Sequence, residues 1–237
     1  MDFANVWHRA VDPQPLPPGW LVLGTAAVAL LAVAVHPAWR LSRNVVTIAH
    51  EGGHGLVALL TRRRLSGIRL HSDTSGLTLS SGPPTGPGMI LTAAAGYTAP
   101  SLLGLGGAAL LAAGRITALL WISIVLLAGM LIMIRNAFGV LSVLVTGAAF
   151  VLISWYGGDE LRAGFAYLGI WFLLLAGVRP VIELQRKRRH GGAPDSDADQ
   201  LARLTGISAL LWVVLFLVIA LVCLLIGGGW LLDWSAR

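Results

Sequence analysis

An all-α polytopic membrane protein of about seven transmembrane helices, with one β-hairpin after a histidine-bearing helix, is the fold class this sequence predicts. Three observations carry that reading. Hydrophobic residues fill 56% of the 237 positions and charged residues 12%, and the mean hydropathy of +0.78 lies far outside the soluble range. The apolar residues gather in runs long enough to cross a bilayer. One of those runs carries His50-Glu51-Gly52-Gly53-His54 in its middle.

The pI of 10.7 raises nucleic acid as a partner. The positive charge, however, sits in short clusters between apolar spans, and no basic domain stands apart. That distribution is the orientation bias of membrane loops, so the lipid bilayer is the implied partner and nucleic acid is not. Cys223 is the single cysteine. It rules out an intramolecular disulfide and a cysteine-based zinc site, which leaves histidine and carboxylate as metal-holding groups.

The chain reads as a single membrane-embedded domain, 1–237. An N-terminal arm, 1–18, ends in Pro13-Gln14-Pro15-Leu16-Pro17-Pro18 and is extended or loose. Residues 20–35 form the first span, with Trp20 and Trp39 suited to the two interfaces. This span reads as an uncleaved anchor, although Ala32-Val33-Ala34 resembles a small-residue cleavage site. The His-Glu span covers 44–60 and stops at Arg62-Arg63-Arg64.

Period-two alternation on either side of Asp73-Thr74-Ser75-Gly76 then predicts a β-hairpin over 66–83. Such a hairpin is either plain surface or an edge that pairs with an extended peptide. Further spans are expected at 89–113, 116–134, 138–156, 164–182 and 207–232. The first of these is rich in alanine and glycine, which permits close helix packing. Between the last two lies a basic and then acidic loop, 184–206, read as an orientation signal and headgroup contact. With that loop, Arg62 to Arg64 and Arg135 in the cytoplasm, seven spans place the amino terminus inside and the carboxy terminus outside.

On a helix, His50 and His54 project from one face within reach of one ion. Glu51 lies beside them, placed to work on water rather than to ligate. With six His and three Glu in the chain, the pattern has a chance expectation of roughly two in a thousand. Satisfaction by packing alone is the plainer alternative, but a bilayer offers such groups few partners.

These residues, the hairpin, and Ala94-Ala95-Gly96-Tyr97-Thr98-Ala99-Pro100 in the next span together resemble the site-2 protease superfamily of intramembrane zinc metallopeptidases. The similarity is greatest to its compact bacterial and fungal peptidase-like branch. The resemblance implies Zn2+ held by two histidines and a carboxylate, with His50 and His54 as ligands and Glu51 as general base. It also implies a membrane-anchored protein as substrate and a multi-pass place in the bacterial plasma membrane. The superfamily's usual third ligand is the aspartate of a Leu-Asp-Gly motif. Here Asn136 is present, but Leu144-Val145-Thr146-Gly147 contains no aspartate.

In the compact branch a Ser-Asp-Ala step leads into the last span, and Ser196-Asp197-Ala198 is similar to it. The resemblance therefore nominates Asp197 as the third ligand. Asp159 or Glu160 suits the helix count better, and Asp197 serves equally as a helix cap near Leu201. Two rival functions stand beside the protease. One is a metal-ion or small-solute transporter, which would show repeated broken helices. The other is a catalytically silent membrane scaffold.

Overall fold

The computed structural model describes residues 8–193 and 195–233, so the first seven positions of the arm lie outside it. From Pro13 to Pro18 the arm is extended, as its prolines require. It is docked rather than loose. The Gln14 amide donates to Thr117 Oγ1 at 2.8 Å and accepts from the Thr117 N–H at 3.2 Å.

Two helices follow, α1 (Gly19–Ala34) and α2 (His36–Leu60). They meet at Val35 with a bend of 100°, and Pro37 suits the first turn of α2 because its missing N–H has no partner to lose there. After the hairpin come α3 (Pro87–Ala112), α4 (Ile116–Met133), α5 (Ala137–Tyr156), α6 (Asp159–Ala176), α7 (Val178–Arg189), the short α8 (Asp197–Thr205) and α9 (Ala209–Leu231). Helices α6 and α7 continue one another through Gly177 as a 31-residue span.

Among the described residues, five helices are long and apolar enough to cross a membrane, or six if the bent pair is one span. The expected seven counted α1 and α2 as separate crossings. At 16 residues, α1 is about 24 Å long, short of the roughly 30 Å hydrocarbon core, and α2 carries the polar motif. Six crossings would return the last helix to the side on which α1 begins.

Two other expectations change. Trp39 meets protein rather than headgroups: it is buried, and its Nε1 donates to Glu183 Oε1 at 2.9 Å. The bend turns it onto α7, where the Arg179 guanidinium lies over its ring at 4.8 Å. The stretch 184–206 is not a loop throughout. Its basic run forms the last turns of α7, and α8 occupies most of its second half.

The hairpin pairs β1 (Arg64–Leu70) with β2 (Gly76–Ser81), in the register Ile68↔Thr78 and Leu70↔Gly76. Its turn closes over Asp73-Thr74-Ser75, where Asp73 Oδ1 accepts from the Ser75 N–H at 2.9 Å and Thr74 takes a positive φ of 68°. Gly76 therefore opens β2 rather than making the turn. The other edge of β1 is held by the chain itself. Ile68 bridges to Ile134, and the Asn136 side chain satisfies both the N–H and the C=O of Leu70, at 3.1 and 2.7 Å. Ile48, Met130 and Val143 pack against Ile68 and Leu70 and seat the sheet on α2, α4 and α5.

Two packing contacts position the site. Helix α2 lies so close to α3 that a Cβ on Gly53 would stand 2.4 Å from Ala99 Cβ, the close approach that small residues permit. Helix α8 is drawn inward by Ala198 and Leu201, which are fully buried with Ala93, Val181, Leu184 and Phe216. Ser196 caps α8 by accepting from the Asp199 N–H. The cap is thus Ser196, and Asp197 is left free for other contacts.

Candidate metal centre

The helical period places His50 and His54 one turn apart on the face of α2 that meets α3 and α8. Their Nε2 atoms are 3.1 Å apart. Asp197 Oδ2 lies 3.3 Å from each of them. Among the described residues this is the His/Cys/Asp/Glu group whose ligand atoms converge, all within 4.8 Å of one another. Three ligands at about 2.05 Å around a tetrahedral ion would stand about 3.3 Å apart. The triangle has the size of a zinc coordination face.

Its electrostatics point the same way. His54 Nδ1 lies 2.7 Å from the Thr92 carbonyl, which can only accept, so Nδ1 carries the proton. In the neutral ring the lone pair of Nε2 then points into the triangle. Asp197 Oδ2 is buried and makes no hydrogen bond among the described residues. Converging acceptors around a buried, orphaned carboxylate oxygen fit a cation and nothing apolar. His50, His54 and Asp197 are the residues that could hold one.

Glu51 points toward the hairpin and is only 5% exposed. Thr78 Oγ1 donates to Glu51 Oε2 at 2.6 Å. Gly76 presses on the same carboxylate, since a Cβ there would stand 2.5 Å from Oε1. Thr47 Oγ1 donates to the Thr74 carbonyl at 2.9 Å and ties the turn to α2 as well. Gly96 is the matching gap on α3: a Cβ there would come within 2.3 Å of His54 Nε2 and 2.6 Å of His50 Nε2. The Tyr97 ring stands edge-on to His50 at 4.8 Å and stacks on Phe216 at 5.4 Å.

The structure brings His50, Glu51, His54 and Asp197 into one region. Asp159 and Glu160 lie elsewhere, in the first turn of α6, where Asp159 pairs with Arg162 at 3.1 Å and with Arg9. Sequence reasoning missed Thr78 and Thr92. For Thr78 a signal existed, because alternation along β2 puts Gly76, Thr78 and Ser80 on one face. For Thr92 none did, because its contribution is a backbone carbonyl that any residue supplies.

A family model described as Peptidase M50B-like matches residues 23–227. No curated protein and no solved structure matches the chain.

Proposed function

The chain belongs to the Peptidase M50B-like family, within the site-2 protease family, and from that premise we propose that it is an intramembrane zinc metalloprotease hydrolysing peptide bonds of membrane-anchored proteins. The observation that carries the proposal is the convergence of His50 Nε2, His54 Nε2 and Asp197 Oδ2 beside Glu51. In this reading the three residues hold Zn2+ and Glu51 is the general base.

Zinc supplies a Lewis acid that lowers the pKa of water from about 15.7 toward about 7 and polarises a carbonyl. Glu51 takes the proton from the attacking water and returns it to the departing amine. Thr78 holds one oxygen of that carboxylate and leaves the other to carry the proton. His54 is kept in its ligating tautomer by the Thr92 carbonyl.

A helical substrate must first unwind, because its carbonyls are engaged in their own hydrogen bonds. Among the described residues β2 pairs only with β1, and Gly76 and Thr78 of β2 touch Glu51. The outer edge of β2 is therefore where an unwound strand would pair. Substrates of this kind are membrane-anchored regulators and signal remnants, and the process served is regulated intramembrane proteolysis at the bacterial plasma membrane.

The test is paired. Purified protein is expected to contain about one zinc per chain. Glu51→Gln should keep that zinc and cut cleavage of a membrane-anchored reporter by about 10²- to 10⁴-fold. Protein without metal at neutral pH, or Glu51→Gln with undiminished cleavage, would reject the proposal.

A further inference from the structure

The basic run of α7 divides between two faces. Arg188 turns inward, pairing with Asp199 and standing 3.4 Å from Ser196 Oγ, and so stitches α7 to α8. Arg186 and Arg189 turn outward. Both are exposed, and no described residue gives either guanidinium an acidic partner.

Both arginines line a cleft of about 310 Å³ between α7 and α9. Its other walls include Ile182 on α7 and Leu210, Val214 and Leu217 on α9. The stripes 182–186–189 and 210–214–217 have the same i, i+4, i+7 spacing, so each faces the cleft over two turns, about 10 Å. Along α7 the lining passes from hydrocarbon to cation within that length. Gln185 Oε1 is buried in the same wall with no hydrogen-bond partner among the described residues. It is an acceptor in want of a donor.

An occupant that suits all three features carries an anion, a neighbouring hydroxyl and a hydrocarbon chain. We propose that this cleft binds a single anionic phospholipid with a hydroxylated headgroup, of the phosphatidylglycerol class. Its phosphate sits on Arg186 and Arg189, a headgroup hydroxyl donates to Gln185 Oε1, and an acyl chain lies along Ile182, Val214 and Leu217. The site is separate from the metal centre and does not depend on the protease reading. It still bears on the centre, because α7 and α9 supply Val181, Leu184 and Phe216 to the packing that holds α8, which carries Asp197.

Native mass spectrometry of the full chain in detergent, offered phosphatidylglycerol and phosphatidylcholine with identical acyl chains, tests this. One phosphatidylglycerol is expected to be retained in preference. Binding should weaken about fivefold for each arginine replaced and about thirtyfold in the Arg186→Ala/Arg189→Ala double variant. Lys187→Ala, on the same turns but outside the cleft, should bind as the parent does. Val214→Trp fills the apolar end and should lose the lipid with every charge in place; circular dichroism and elution volume verify the fold of each variant. Equal retention of phosphatidylcholine would overturn the proposal, as would a Lys187→Ala loss matching the arginine losses. An unaffected Val214→Trp, or displacement of the lipid by a soluble acidic peptide, would overturn it too.

Discussion

The carboxylate of Asp197 meets the imidazole of His54 at 3.3 Å, although everything from β1 to α7 lies between them in the chain. The Thr92 carbonyl occupies the other ring nitrogen of His54, so in the neutral ring the approach is of a carboxylate oxygen to a lone pair. Two such acceptors repel unless a cation stands between them. A proton bridges two acceptors. The third, His50 Nε2, makes an ion with several coordination positions the better fit.

Asp197→Ala should weaken zinc binding by more than about 100-fold, since even the loss of an outer partner typically costs about 10- to 100-fold. Asp159→Ala should leave it unchanged, because Asp159 is tied to Arg9 and Arg162. Competition with a chromophoric chelator measures both. Equal affinities would remove Asp197 from the ligand set.

Gly96→Ala tests how tightly the centre is closed. The added Cβ would stand 2.3 Å from His54 Nε2, whereas at Gly106, on the same helix, it meets nothing within 4 Å. Zinc content should collapse in Gly96→Ala and persist in Gly106→Ala. Full zinc in both would mean that the histidines can move aside without loss of the site.

Thr78→Val removes the hydrogen bond to Glu51 Oε2 while keeping a β-branched side chain for the strand. A hydrogen bond to a charged group contributes about 1.5–3 kcal/mol. Turnover of a reporter should therefore fall about ten- to hundredfold with zinc retained, and Thr78→Ser should recover most of it. Loss of zinc together with turnover would show that Thr78 supports the hairpin instead.

Leu201→Ala acts at a distance. Leu201 is fully buried and holds α8 to its neighbours. A truncation of this kind costs about 2–5 kcal/mol and should lower both the melting temperature and the zinc affinity. Added zinc should restore part of the melting temperature by mass action. An unchanged affinity would mean that Asp197 is positioned without the α8 packing.

Composition does not show which side chains a neighbouring helix will engage. Composition alone suits Trp39 to an interface and 184–206 to a loop. In both places a neighbouring helix supplies a partner: Glu183 for the Trp39 indole, and Ser196 and Asp199 for Arg188 in the basic run. The bend at Val35 is of the same kind. The residues 20–35 are apolar enough for a span, but their geometry depends on what α1 and α2 pack against. Gly76 shows the converse. The sequence groups it with the turn, yet the demand for a small residue there comes from the Glu51 carboxylate.

By itself the sequence determined that His50 and His54 share a face with Glu51 beside them, and that a hairpin follows. Both are consequences of backbone period, 3.6 residues per turn in one case and two in the other, which act over a few neighbours. Only the tertiary structure decided which carboxylate approaches the imidazoles, what holds Glu51, and how sharply α1 turns into α2. Those outcomes depend on packing between segments far apart in the chain: the burial of Ala198 and Leu201 that pulls α8 inward, and the contact of Gly53 with Ala99 that brings α3 to the histidines. No local pattern encodes a sum of contacts of that kind.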